Sequence, residues 1–254
     1  MARFAANVSF LFTELPFLDR FAAAAAHGFD AVEFMFPYEW PAADLRALLD
    51  DNGQKLVLFN AAQGDWAAGE RGIAALAGRE VEFEAAIATA LDYAGVLGNR
   101  LIHVMAGLDS GGANAATFIA NLQKGADMAA ERGVTLIIEP INTRDMPGYF
   151  LSRTGAALDI IAACGRPNVG LQFDLYHRHM MEGDVSAGLR EVKDVVRHMQ
   201  IASPPDRGEP GEGELDFKTL LAEIDASGYD GFIGLEYKPR SSTVAGLSWL
   251  AMLG

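Results

Sequence analysis

Short apolar runs alternate with helical stretches along the whole chain, and this alternation leaves few folds open. The strand-like runs are RFAANVSF, DAVEFMF, KLVLFN, RLIHVMAG, VTLIIEP, NVGLQFD, VVRHMQIA and GFIGLEY. Helices are predicted over residues 16–27, 41–52, 79–97, 113–132, 154–164, 185–192, 217–227 and 243–253. Gly28, Gly53, Gly133, Gly165 and Gly228 each follow one of them, where a left-handed residue ends a helix at low cost. Eight strand–helix units of about 30 residues each imply a parallel sheet. Over 254 residues they imply α/β architecture in the form of a single (β/α)8 TIM barrel, one domain from residue 1 to 254. The rival is an open doubly wound sheet, which wants a glycine-rich phosphate turn after an early strand. No GxGxxG stands there.

The chain carries a formal charge of -14 and a pI of about 4.7. Phosphate backbones demand clustered Lys and Arg, so nucleic acid is not expected as a partner. The same balance disfavours an anionic membrane surface, and no apolar run is long enough for a span. The N-terminus MARFAANVSF lacks the apolar core of a signal peptide. The single cysteine, Cys164, forbids an internal disulfide and reads as a small buried hydrophobe, so a cytoplasmic protein is expected. The oligomeric state stays open, a homo-oligomer included.

In a barrel the active site forms at the C-terminal ends of the strands. Strand five ends in Glu139, strand six in Asp174 and strand eight in Glu236; strand seven carries Gln200 near its end. A carboxylate at the end of an apolar run such as LIIEP is costly to bury unless its charge is compensated. One such group is commonly a helix cap or half of a surface ion pair. Four oxygen donors on four successive strands point instead to a shared divalent cation, Mg²⁺ or Mn²⁺. About two octahedral positions would remain for a bidentate substrate.

Other residues are candidates with a plain alternative beside each. His103 on strand four and Glu33 on strand two reach toward the mouth, although Glu33 fits the helix layer as well. His177 follows Asp174 by three residues, on a turn just past the strand, and reads either as a substrate contact or as an exposed loop histidine. His198 shares a strand face with Gln200 and lies deeper. His27 and His179 are taken as surface or packing residues. The loop 203–216, SPPDRGEPGEGELD, is rich in turn formers and charge, as functional barrel loops are. Its Arg207 suits a substrate carboxylate or carbonyl oxygen, or simply solvent. Lys238 suits an oxyanion, or the surface. Asn7, Phe12, Asn60 and Trp66 are candidate walls, and residues 61–76 around Trp66 form either a lid or a packed surface loop.

Several long segments carry a resemblance. RFAANVSFLFTELPFLDRFAAAAAHGFDAVEFMFPY, LFNAAQGDWAAGERGIAALAGRE, HVMAG, QIASPPDRGEPGEGELDF and GLEYKPR resemble the hydroxypyruvate isomerase family of xylose-isomerase-like TIM barrels, which includes 2-oxo-tetronate isomerases. The likeness covers essentially the whole chain, with Ala77 where a proline is expected. It implies an aldose–ketose type isomerase acting on a small hydroxy-keto acid, hydroxypyruvate to tartronate semialdehyde or a 2-oxo-tetronate. It implies Glu139 and Glu236 as the proton-transfer pair and Glu139, Asp174, Gln200 and Glu236 as metal ligands. Many members of the wider superfamily carry His on strand seven; Gln200 keeps an oxygen donor there and favours a harder cation. The expected chemistry is proton removal beside a carbonyl, a cis-enediolate, and proton return to the neighbouring carbon, with His177 or Lys238 as candidates to steady the charge. A sugar 3-epimerase or inosose-type dehydratase on the same scaffold is the alternative activity, and a sugar-acid binding protein the non-enzymatic one. A repair endonuclease of the same architecture would need a His-rich zinc cluster and a basic groove, which five histidines and an acidic chain do not supply.

Overall fold

A computed structural model describes residues 2–211 and 213–253. Nine strand segments lie in one sheet: β1 (Arg3–Asn7), β2 (Ala31–Glu33), β3 (Lys55–Leu56), β4 (Leu58–Asn60), β5 (Leu101–His103), β6 (Thr135–Ile138), β7 (Val169–Asp174), β8 (Val196–Ile201) and β9 (Phe232–Leu235). They are ordered β3-β2-β1-β9-β8-β7-β6-β5-β4, every pair parallel. The two ends of that order are halves of the third expected strand. KLVLFN divides at Val57 because Lys55–Leu56 ladders with β2 while Leu58–Asn60 ladders with β5. The seam is stitched by Val57 N to Val32 O (2.9 Å), Phe34 N to Leu58 O (3.2 Å) and Asn60 N to Met35 O (2.7 Å). The sheet is therefore a TIM barrel of eight staves, one of them jointed.

Helices α1 (Arg20–Ala26), α2 (Ala42–Asp51), α3 (Glu80–Leu97), α4 (Ala115–Ala130), α5 (Thr154–Cys164), α6 (Leu175–Glu182), α7 (Val185–Val192), α8 (Phe217–Ala226) and α9 (Thr243–Gly246) connect the strands. The α4 helix starts two residues later than expected because Asn114 caps it, its side chain accepting from Thr117 N at 2.9 Å. The final helix is α-helical only to Gly246 and continues as a 3₁₀ helix over Leu247–Leu253; glycine is the weakest ordinary residue in helix interiors. The α6 helix was not expected. Its sequence, LYHRHMME, buries three consecutive residues, Leu175, Tyr176 and His177, so no apolar stripe marks it.

Large aromatic side chains, among them Phe21, Phe83, Phe118, Phe173 and Phe217, are buried in the hydrophobic core. The barrel's interior is different. Strand residues alternate sides, and Gln172, His198 and Gln200 are buried and joined by polar contacts across the barrel. Glu33 joins them there rather than in the helix layer. Its carboxylate accepts from Asn7 Nδ2 (3.0 Å) and Gln200 Nε2 (2.7 Å) on one oxygen and lies 2.6 Å from His198 Nε2 on the other. Gly234 on β9 makes room for it, since a Cβ there would fall 2.3 Å from Glu33 Oε1.

Candidate active site

A cavity of about 350 Å³ opens above this polar column at the C-terminal ends of the strands. Glu139 enters its floor from the end of β6, and Glu236 follows β9. Gln200 comes from β8, Gln172 from β7 and His103 from β5. Apolar walls come from Phe10, Phe34, Met105, Ile141 and Met146, and Trp66 lies on the rim. Phe10, not the expected Phe12, lines the cavity; Phe12 is buried in the core. Asn7 and Asn60 are wall residues as expected.

Asp174 has two roles, one for each oxygen. Oδ1 caps α6 by accepting from Tyr176 N at 2.7 Å. Oδ2 is buried without a hydrogen-bond partner and lies 3.6 Å from His177 Nε2. The cap starts the helix that carries His177, so the histidine sits on a helix rather than a turn, and it is buried rather than exposed. Asn142 fixes the ring's other edge, with Nδ2 2.6 Å from Nδ1. His177 Nε2 is also 3.9 Å from Glu139 Oε1, and His103 Nε2 is 3.8 Å from Glu139 Oε2.

Arg207 places a guanidinium among these acids. Its backbone is left-handed, with φ 57°, an unusual conformation for a residue other than glycine and one found often at functional sites. Nη2 donates to Glu236 Oε2 at 2.8 Å and lies 3.8 Å from Asp174 Oδ2 and 3.4 Å from His177 Nε2. Nη1 is 3.8 Å from Asp145 Oδ2. The guanidinium packs over the Phe10 and Tyr176 rings, 4.9 and 5.4 Å from their centroids. Lys238 lines the cavity but its side chain is exposed at the rim, while its N–H donates to Arg207 O at 2.7 Å.

Burial governs protonation here. Desolvation, then the charges of Glu236 and Asp174, hold Glu139 well above the usual carboxylate range. Desolvation raises Asp174 to about 6 and Glu236 to about 8, each against the opposing pull of Arg207. Burial also lowers His103 to about 3 and His177 well below its ordinary value, so both rings are neutral. Burial opposes the Arg207 charge as well, but Glu236, Asp174, Glu139 and Asp145 outweigh it. The site thus contains acids that hold protons near neutrality and neutral imidazoles with open nitrogens, a set suited to proton transfer and to metal binding.

The residues fit a divalent cation. Glu139, Asp174 and His177 each offer a ligand atom, all within 4.8 Å of one another. Glu139 Oε1 and Asp174 Oδ2 are buried with no hydrogen-bond partner, which is costly unless something else meets them. This group differs from the expected quartet. His177 joins it, Glu236 is drawn to Arg207, and the Gln200 oxygen accepts from Gln172 Nε2 at 2.6 Å.

The family model described as "Xylose isomerase-like TIM barrel" matches residues 21–253. A 2-oxo-tetronate isomerase of Cupriavidus necator is 56% identical over 98% of both chains. The chain belongs to the hydroxypyruvate isomerase family of xylose isomerase-like TIM barrels. A family member named hydroxypyruvate isomerase, from Escherichia coli, is 44% identical over 98% of both chains. A solved structure described as an AP endonuclease, family 2, from Brucella melitensis superposes with a TM-score of 0.97 at 46% identity, covering 99% of each chain.

Sequence reasoning missed Gln172, Asn142, Asp145 and Tyr176. For Gln172 a signal exists: it interrupts the apolar run NVGLQFD two residues before Asp174 and so faces the same side. Asn142 and Asp145 lie in the loop after Glu139 and carry no local mark.

Proposed function

We propose that this chain is an isomerase of small hydroxy-keto acids that moves a carbonyl between adjacent carbons by proton transfer through an enediolate. The observation that carries the reading is the set of three buried carboxylates, Glu139, Asp174 and Glu236, gathered around the Arg207 guanidinium, with Glu139, Glu236 and Arg207 lining a cavity of about 350 Å³. The isomerase names of relatives at 44–56% identity support the substrate class, a 2-oxo-tetronate or hydroxypyruvate.

In hydroxypyruvate, the proton leaves the hydroxymethyl carbon and another arrives at the former keto carbon, giving tartronate semialdehyde. Glu139 and Glu236 are the proposed acid–base pair. Their raised pKa values suit groups that take and return a proton near neutral pH. Arg207 is placed to hold an anionic substrate oxygen and to counter the charge that develops on the enediolate. His103 and His177, neutral and buried, bring a substrate contact without adding positive charge. The apolar walls exclude water that would compete for the proton. Glu139, Asp174 and His177 would hold a Mg²⁺ or Mn²⁺ ion, with Gln200 and Glu236 as the further ligands the sequence suggests. When bound, the ion supplies a Lewis acid that acidifies the C–H bond beside the substrate carbonyl.

A nuclease activity, the name borne by the Brucella structure, gains no support from a chain of charge -14 whose cavity floor is acidic. The test is proton NMR of hydroxypyruvate and of a 2-oxo-tetronate in deuterium oxide, with Mg²⁺ or Mn²⁺ supplied. The reading expects isomerised product and deuterium at the exchanging carbon, both lost in Glu236→Gln. Product without carbonyl movement would make the chain an epimerase, and loss of water a dehydratase. Exchange in Glu236→Gln at the wild-type rate would remove Glu236 from the mechanism.

A further inference from the structure

The opposite end of the barrel holds a second cavity, of about 300 Å³, at the N-terminal ends of the strands, within the size range of small-molecule sites. Its charge is the reverse of the chain's. The protein has 34 acidic and 20 basic residues, yet among the described residues this cavity is lined by Arg46, Lys55, Arg100 and Arg197 and by no Asp or Glu. Arg46 is paired with Asp50. Among the described residues, Lys55, Arg100 and Arg197 have no carboxylate within ion-pair distance. Backbone carbonyls hold the two arginines instead: Arg100 Nη1 donates to Gly133 O at 3.1 Å, and Arg197 Nη1 to Asp194 O at 3.1 Å and Val196 O at 3.0 Å. The geometry orients the guanidinium groups and leaves their charge uncompensated.

A second observation is independent of charge. Three buried polar groups in the cavity's wall lack a hydrogen-bond partner: Gln54 Oε1, Asn99 Oδ1 and His198 Nδ1. Gln54 is 3% exposed, Asn99 3% and His198 0%. The amide nitrogens are already used, Gln54 Nε2 on Phe29 O at 3.1 Å and Asn99 Nδ2 on Leu101 O at 2.8 Å. What remains on each amide is an acceptor, and a buried acceptor without a partner calls for a donor from within the cavity. A fully deprotonated anion such as sulfate has no donors to give, and inorganic phosphate has at most its own O–H. We infer that this cavity binds a small hydroxylated phosphate ester, its phosphate on Lys55, Arg100 and Arg197 and its hydroxyls turned to Gln54 and Asn99.

His198 makes occupancy observable. Its Nε2 is 2.6 Å from Glu33 and the residue lines this cavity, so its ring signals respond to a ligand at this end. His177 lines only the opposite mouth among the two cavities and reports any phosphate bound beside Arg207. The experiment titrates the full-length protein with glycerol 3-phosphate, inorganic phosphate and glycerol, by calorimetry and by histidine-ring NMR. Glycerol 3-phosphate is expected to bind and to move the His198 ring, phosphate to bind more weakly, and glycerol not to bind. In Arg100→Gln/Arg197→Gln the affinity should fall about tenfold or more as two charge-assisted contacts go, with turnover unchanged. Lys55→Gln, at an exposed position, serves if the double variant does not fold. Unchanged affinity in these variants, ligand shifts confined to His177, or no binding at tens of millimolar would each overturn the proposal.

Discussion

Asp174 carries two separable tasks that substitution can divide. Asp174→Asn keeps an oxygen for the α6 cap but removes the charge, whereas Asp174→Ala removes both. The alanine variant is expected to lose about 0.5–2 kcal/mol more stability than the asparagine variant, read by denaturant unfolding of the metal-free proteins, while both lose turnover. Gly234→Ala should cost roughly 1–3 kcal/mol by overpacking against Glu33, with the barrel otherwise intact; a neutral result would mean the carboxylate can move aside. These residues differ in how legible they are. Glu139, Asp174, Gln200 and Glu236 stand at strand ends and announce themselves. Glu33 reads equally as an inner or outer residue, because an AVEF strand gives both faces a plausible owner. Only the missing side chain of Gly234 across the barrel settles it, and that is a long-range relation absent from any local pattern.

At the scale of elements, the loop of residues 61–76 is pinned by charge. Glu70 accepts from Asp65 N at 2.6 Å and from Arg79 Nη1 at 2.7 Å, and Arg71 stacks 3.8 Å from the Trp66 ring centroid. The hydrogen bonds from Arg79 and Asp65 lower the Glu70 pKa. A carboxyl lowered on folding adds stability above its unfolded value of about 4.5 and loses it as pH falls through the folded value. The pin should therefore hold at neutral pH and release in acid. Limited proteolysis between residues 61 and 76 is expected to speed up as the pH falls below 4.5 and through the lowered folded value, and Glu70→Gln should show that faster cutting already at pH 7. Strand–helix alternation made most elements readable, with α5 and α7 starting and ending where the pattern puts them. The α6 helix was hidden because its residues serve the site, burying a histidine and a tyrosine where an amphipathic helix would show a stripe. Arg207 was visible as a charge in a turn-rich loop, but its reach into the acidic floor depends on a left-handed backbone at a non-glycine position, which sequence does not advertise.

For the whole molecule, a cation held by Glu139, Asp174 and His177 would make stability depend on its concentration. Metal-free protein should gain about 2.7 kcal/mol with Mn²⁺ at a hundredfold excess over Kd, a rise of roughly 5–10 °C in Tm for a chain of this size. Asp174→Ala should show little of that gain, and equal stabilisation of this variant would place the ion elsewhere. Among the described residues no helix is long and apolar enough to cross a membrane. The joint at Val57 has a consequence for how the ring opens. Six neighbouring pairs of staves ladder along undivided strands, but the circle is completed by a stave that changes hands halfway along, and the loop bearing Trp66 hangs from its upper half. Breathing of the wall should start at that handover and carry the loop with it: the amides of Phe34, Val57 and Asn60 are expected to exchange with solvent sooner than those of Phe173 and Met199 on the far side. The rim that Trp66 gives the cavity and the jointed stave would then be a single moving part.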